Sequence, residues 1–150
     1  MRKGFTLIEV AVVTALLALT LFPLLEMTAA SYDHYGSLAI QAGLKADADA
    51  LAYRIFGRVA ANPRACQLDA DNHGIRFADG AAVRWQEGMV WWIGPSGRRP
   101  LMEVPVSEFN LVRQGGLLTL NLELRAPARV HGPAVAYRNL YDYPRLGGQP

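Results

Sequence analysis

The sequence predicts an α+β protein in which a long N-terminal helix, half apolar and half amphipathic, packs on an antiparallel β-sheet head. Three observations carry that prediction. Residues 5–25 are apolar except for Glu9, a few small polar side chains and the helix breaker Pro23. Over residues 28–61, apolar side chains recur at spacings of three and four, as on a helix with one buried face. Beyond Arg64, short alternating segments are separated by Asp-Gly, Glu-Gly and Gly-Gly pairs, the pattern of successive hairpins.

Taken as a helix rising about 1.5 Å per residue, residues 5–25 are roughly 30 Å long, the thickness of a bilayer's hydrocarbon core. Arg2 and Lys3 precede the segment and no basic residue lies within it, so loop charge keeps the N-terminus in the cytoplasm and the rest outside. Glu9 is the costly residue. An ionised side chain is expensive inside a bilayer and usually has a partner or a task. Toleration near the interface is the alternative, because a carboxylate one turn into a helix is favoured by the unpaired N–H groups there. Pro23 removes a backbone hydrogen bond and crowds the carbonyl of Leu19, which predicts a kink or local loosening. Simple toleration of a membrane proline is the alternative.

Lys3-Gly4-Phe5-Thr6-Leu7-Ile8-Glu9 resembles the class III signal of type IV pilins and of the pseudopilins of type II secretion and DNA uptake. The resemblance is specific over about the first twenty-five residues. It implies that prepilin peptidase cuts between Gly4 and Phe5, that Phe5 is N-methylated, and that Glu9 engages the N-terminal amine of a neighbouring subunit during assembly. An ammonium and a carboxylate, both poorly solvated in lipid, attract strongly at low dielectric and relieve each other's desolvation. The partners implied are prepilin peptidase, other pilins or pseudopilins through the N-terminal helix, the inner-membrane assembly platform and the membrane itself. The location implied is the cytoplasmic membrane, crossed once with the head extracytoplasmic, and then a pilus or pseudopilus. Helix followed by strand-rich head, with Tyr137-Arg138-Asn139-Leu140 near the end, is similar to minor pilins and minor pseudopilins.

Two other readings compete. An ordinary secretory signal would use Thr28-Ala29-Ala30 before Ser31 as its cleavage site, but Glu9 would interrupt its apolar core and residues 10–25 are at or above the length of such a core. The other is a plain membrane anchor with no assembly role.

The expected organisation is a leader at 1–4, a transmembrane and assembly helix at 5–26, an amphipathic helix at 27–63, an antiparallel β head at 64–141 and a flexible tail at 142–150. In the second helical stretch Leu44, Ala48, Leu51, Ile55 and Val59 form the predicted buried face, with Lys45, Asp47, Asp49, Arg54 and Arg58 mostly elsewhere on the wheel. Gly36 and Gly43 predict bending or fraying, and Asn62-Pro63 ends the helix. A continuous helix would be about 85 Å long, too long to bury in one small globule. Strands are expected at 75–77, 83–85, 89–93, 101–104, 106–112, 118–125 and 134–140, with turns at Asp79-Gly80, Glu87-Gly88 and residues 94–97. Leu118, Leu120, Leu122 and Leu124 alternate with polar residues, as on a sheet with one buried face.

Charge and composition narrow the function. The formal charge of +2 includes Arg2 and Lys3, so removing the leader leaves none. That argues against bulk electrostatic binding of nucleic acid, which needs several uncompensated cations. The C-terminal third is locally basic, and the alternative to a purely structural subunit is a filament-tip binding module for DNA or an exported substrate using Arg98, Arg99 and Arg129. Cys66 is the only cysteine, so no internal disulfide forms, a departure from the cysteine pair of many major pilins. His34, His73 and His131 are dispersed and predict no metal site. Residues 69–74 carry part of a calcium loop but have Gly80 where the bidentate Glu belongs, so an Asx-rich turn is expected. Ser96 lacks a nucleophile elbow's context and reads as a turn. No cofactor and no catalysis are expected. Of Trp85, Trp91 and Trp92, the adjacent pair should face opposite sides of one strand, with at least one tryptophan in the core.

Overall fold

A computed structural model of the chain describes residues 6–114, 116–126 and 134–143. Gly4, Phe5, Arg129 and His131, and residues 144–150 of the expected tail, lie outside them. The chain divides into two compact units, Met1–Leu38 and Ala39–Pro150.

The first unit is helical. Helix α1, Leu7–Ala61, begins here and is uninterrupted at Pro23, Gly36 and Gly43. No residue between Thr6 and Tyr35 is buried or even half-buried. Leu16, Leu17, Leu19, Phe22 and Leu25 are each at least half exposed, so this stretch contributes an apolar surface and no core.

The second unit holds the core. Leu44, Ala48, Leu51, Ile55 and Val59 of α1 are buried, as the spacing predicts, and Ala52 joins them. Helix α1 ends before Asn62-Pro63, where a short 3-10 turn, Pro63–Ala65, follows. Among the described residues eight strands come next, in two antiparallel sheets rather than one. The first sheet is a meander of β1 (Gln67–Leu68), β2 (Gly74–Arg76), β3 (Ala82–Gln86), β4 (Met89–Gly94) and β5 (Gly97–Pro100). The second is β6 (Val106–Gln114), β7 (Leu117–Arg125) and β8 (Ala136–Tyr143).

The division into two sheets falls between β5 and β6. Residues 101–105, expected to hold a strand, are irregular and end in Pro105, and β5 does not pair with β6. Instead β5 is Gly97-Arg98-Arg99-Pro100, unlike a strand in composition but tolerable at a sheet edge, where proline's missing N–H costs nothing and charge discourages further pairing. Backbone bonds tie the sheets together: Leu111 N–H donates to the Asn72 carbonyl and Val106 N–H to the Gly88 carbonyl, both at 2.8 Å. The last strand runs to Tyr143, so residues 142–143 are strand and not tail.

The turns follow their residues. Glu87 and Gly88 both have positive φ (55° and 74°), as a two-residue hairpin of the kind that matches strand twist requires. Gly80, at φ 80°, closes the loop between β2 and β3. Leu120, Leu122 and Leu124 are fully buried, and Leu118 nearly so. Cys66 is buried with them, its thiol donating to the Asn62 carbonyl at 3.3 Å, and burial raises its pKa. Tyr141 of β8 donates its hydroxyl to Asp49 Oδ1 of α1 at 2.6 Å, a polar bond beside the apolar contact of helix and strand.

Candidate functional site

The N-terminal turn of α1 is built by Thr6 and Glu9. Thr6 N–H donates to Glu9 Oε2 at 2.9 Å, Thr6 Oγ1 donates to the same oxygen at 3.1 Å, and Glu9 N–H donates to Thr6 Oγ1 at 3.3 Å. Val10 N–H donates to the Thr6 carbonyl at 3.2 Å, making Thr6 the N-cap and Glu9 the third helical residue. This is a capping box, in which Thr and Glu satisfy each other's otherwise orphaned amides. The Thr6-x-x-Glu9 spacing is its sequence signature. Among the described residues Glu9 Oε1 has no hydrogen-bond partner.

The apolar helix hides its own polar groups. Thr14 donates to the carbonyls of Val10 and Ala11, Thr20 to those of Leu16 and Leu17, and Thr28 to those of Leu24 and Leu25, all within 3.1 Å. Ser31 donates to the Met27 carbonyl at 2.8 Å. Hydroxyls satisfied in this way need no water, which suits a helix surrounded by lipid or by other helices. The helix has a mean hydropathy of 2.3 over its most apolar window, none of which is buried. That length and composition are consistent with membrane anchoring.

The other sequence-predicted residues scatter. Arg98 and Arg99 lie on opposite faces of β5: Arg98 stacks over the Trp91 ring at 3.8 Å, whereas Arg99 is the cross-strand partner of Trp92. They do not form one surface. None of the tryptophans is fully buried. Trp85 and Trp92 pack against the core, and Trp85 Nε1 donates to the Val106 carbonyl at 3.1 Å. Residues 69–74 form the expected turn, with His73 N–H donating to Asp71 Oδ1 at 3.1 Å and Arg84 Nη2 lying 3.3 Å from Asp71 Oδ2. Asp71 is accordingly held below the usual carboxylate range, first by that backbone N–H. Ser96 lies in the turn between β4 and β5. Among the described residues no group of three or more His, Cys, Asp or Glu gathers as a metal site.

Residues 1–25 match the family model described as the prokaryotic N-terminal methylation motif. Neither a curated protein nor a solved structure matches the chain.

Proposed function

From the premise of a type IV pilin-like precursor, supported by the N-terminal motif and by the order of long helix and antiparallel sheets, we propose that the chain is a minor pilin or pseudopilin. It is a structural subunit of a type IV pilus, type II secretion or DNA-uptake filament. Prepilin peptidase cuts between Gly4 and Phe5, and Phe5 is then N-methylated. The helix holds the precursor in the cytoplasmic membrane with its head outside, and the same helix enters the filament through the assembly platform. The observation that carries this reading is the coincidence of motif and surface: within the motif, residues 10–25 form a stretch of α1 that is apolar all round and contributes nothing to the core. A face of that kind is stable only when lipid or other helices cover it.

Within this reading Glu9 has two tasks. It caps its own helix through Oε2, and Oε1 accepts a neighbour's methylated amine. Glu9→Gln separates them, because glutamine serves in a capping box but carries no charge. The expected outcome is normal cleavage of both Glu9→Gln and Glu9→Val, with incorporation into filaments reduced tenfold or more in each. Wild-type incorporation of Glu9→Gln would leave Glu9 with capping alone and remove its assembly role.

A further inference from the structure

The head carries a cationic cleft of about 410 Å³ between α1 and the β4–β5 hairpin, with Arg54, Arg58, Arg99, Trp92 and Leu101 in its lining. Its three guanidinium groups differ in their commitments. Arg58 is paired with Asp79 and lies 4.5 Å over the Trp92 ring, so its charge is answered within the chain. Arg54 has only a 3.4 Å bond from Nη1 to the Leu101 carbonyl, and neither Arg54 nor Arg99 makes an ion pair among the described residues. Two unanswered cations lining one cleft repel each other, and an anion placed there removes that cost. A guanidinium presents parallel N–H donors that match the two oxygens of a carboxylate.

The surroundings select the kind of anion. The adjoining cleft, which shares Arg54 and Leu101, is lined by Asp47 and Glu103, and Asp79 borders the other side through Arg58. A nucleic-acid strand would carry further phosphates past these carboxylates and be repelled. Trp92 is also a poor platform for a base, since Arg58 lies over its ring and Phe77 stacks with it at 5.9 Å. A single acidic side chain meets neither obstacle. We propose that this cleft binds a carboxylate side chain of a partner polypeptide through Arg54 and Arg99, with Arg58 and Trp92 as its fixed wall. The inference stands independently of the N-terminal assembly role.

The test is binding of an end-capped Gly-Gly-Glu-Gly-Gly peptide, which carries one carboxylate and an uncharged fluorophore, to the detergent-solubilised full chain at low salt, read by anisotropy. The Arg54→Gln/Arg99→Gln double variant should bind about tenfold or more weakly, from the loss of charge-assisted hydrogen bonds. Its thermal unfolding midpoint should match wild type, because neither arginine is buried or ion-paired. Arg64→Gln/Arg76→Gln, the same charge loss elsewhere on the head, should bind as wild type does. Equal weakening by both double variants, or no binding to the wild-type chain, would overturn the proposal. So would tighter binding of an oligothymidylate of equal charge that depends on Arg54 and Arg99, which would make the cleft a nucleic-acid site.

Discussion

Truncating Ile55 and Leu17 to alanine tests whether one helix does two jobs. Ile55 is 1% exposed and sits at the centre of the α1 face buried in the head, whereas Leu17 is 51% exposed in the apolar stretch. Ile55→Ala deletes the carbons beyond Cβ. At about 0.8 kcal/mol per buried carbon these amount to about 2.4 kcal/mol, and the cavity left behind raises the total to about 3–4 kcal/mol. For a domain of this size that lowers Tm by roughly 10–20 °C. Leu17→Ala removes nothing that the isolated chain has buried, so its effect should stay within about 0.5 kcal/mol. The assay is thermal unfolding of the detergent-solubilised chain, followed by near-UV circular dichroism of the head's tryptophans and tyrosines. Equal destabilisation by the two variants would mean that the first stretch packs within the monomer. A neutral Ile55→Ala would remove α1 from the core.

Tyr141→Phe deletes the hydroxyl bonded to Asp49 and should cost about 1 kcal/mol at neutral pH, read as a lower urea midpoint. The same bond sets a pH dependence. Tyr141 first and Lys45 second hold Asp49 below the ordinary carboxylate range, so this stability is present above the unfolded Asp value near pH 4 and is lost as pH falls through the lower folded value. Burial first and Asp49 second raise the Tyr141 hydroxyl, so its share is intact below the unfolded tyrosine value near pH 10 and fades as pH rises beyond it. Urea midpoints of wild type and Tyr141→Phe should therefore converge at both extremes. Gly74→Ala would place a Cβ in collision with Asp69 Oδ2 and 3.0 Å from the Val83 carbonyl. The first neighbour can swing away only by leaving Arg84 and the second is backbone, so a loss of about 1–3 kcal/mol is expected in the same unfolding assay.

What could be read from the sequence was what is local. The buried face of α1 follows from spacing alone, and the leucines of β7 follow from strict alternation. Glu87-Gly88 reverses the chain where the residue types say it must. The misses have non-local or disguised causes. Gly97-Arg98-Arg99-Pro100 has no strand-like composition, and only its position at an edge makes it a strand. The second sheet arises because residues 101–105 break the meander, a decision made by pairing and not by propensity. Nothing in the sequence brings Tyr141 to Asp49, or Arg54 and Arg58 to Trp92 and Arg99, since these contacts join α1 to segments more than thirty residues away. The capping box is a different case: Thr6-x-x-Glu9 is present in the sequence, beneath the stronger signal of the Glu9 charge.

The intact mass and N-terminal residue of the protein taken from its native membrane test the central claim most directly. A chain beginning at N-methylated Phe5 is the predicted result. A chain beginning at Ser31, or one retaining Met1 in the presence of an active prepilin peptidase, would contradict it and leave Glu9 with no amine to meet.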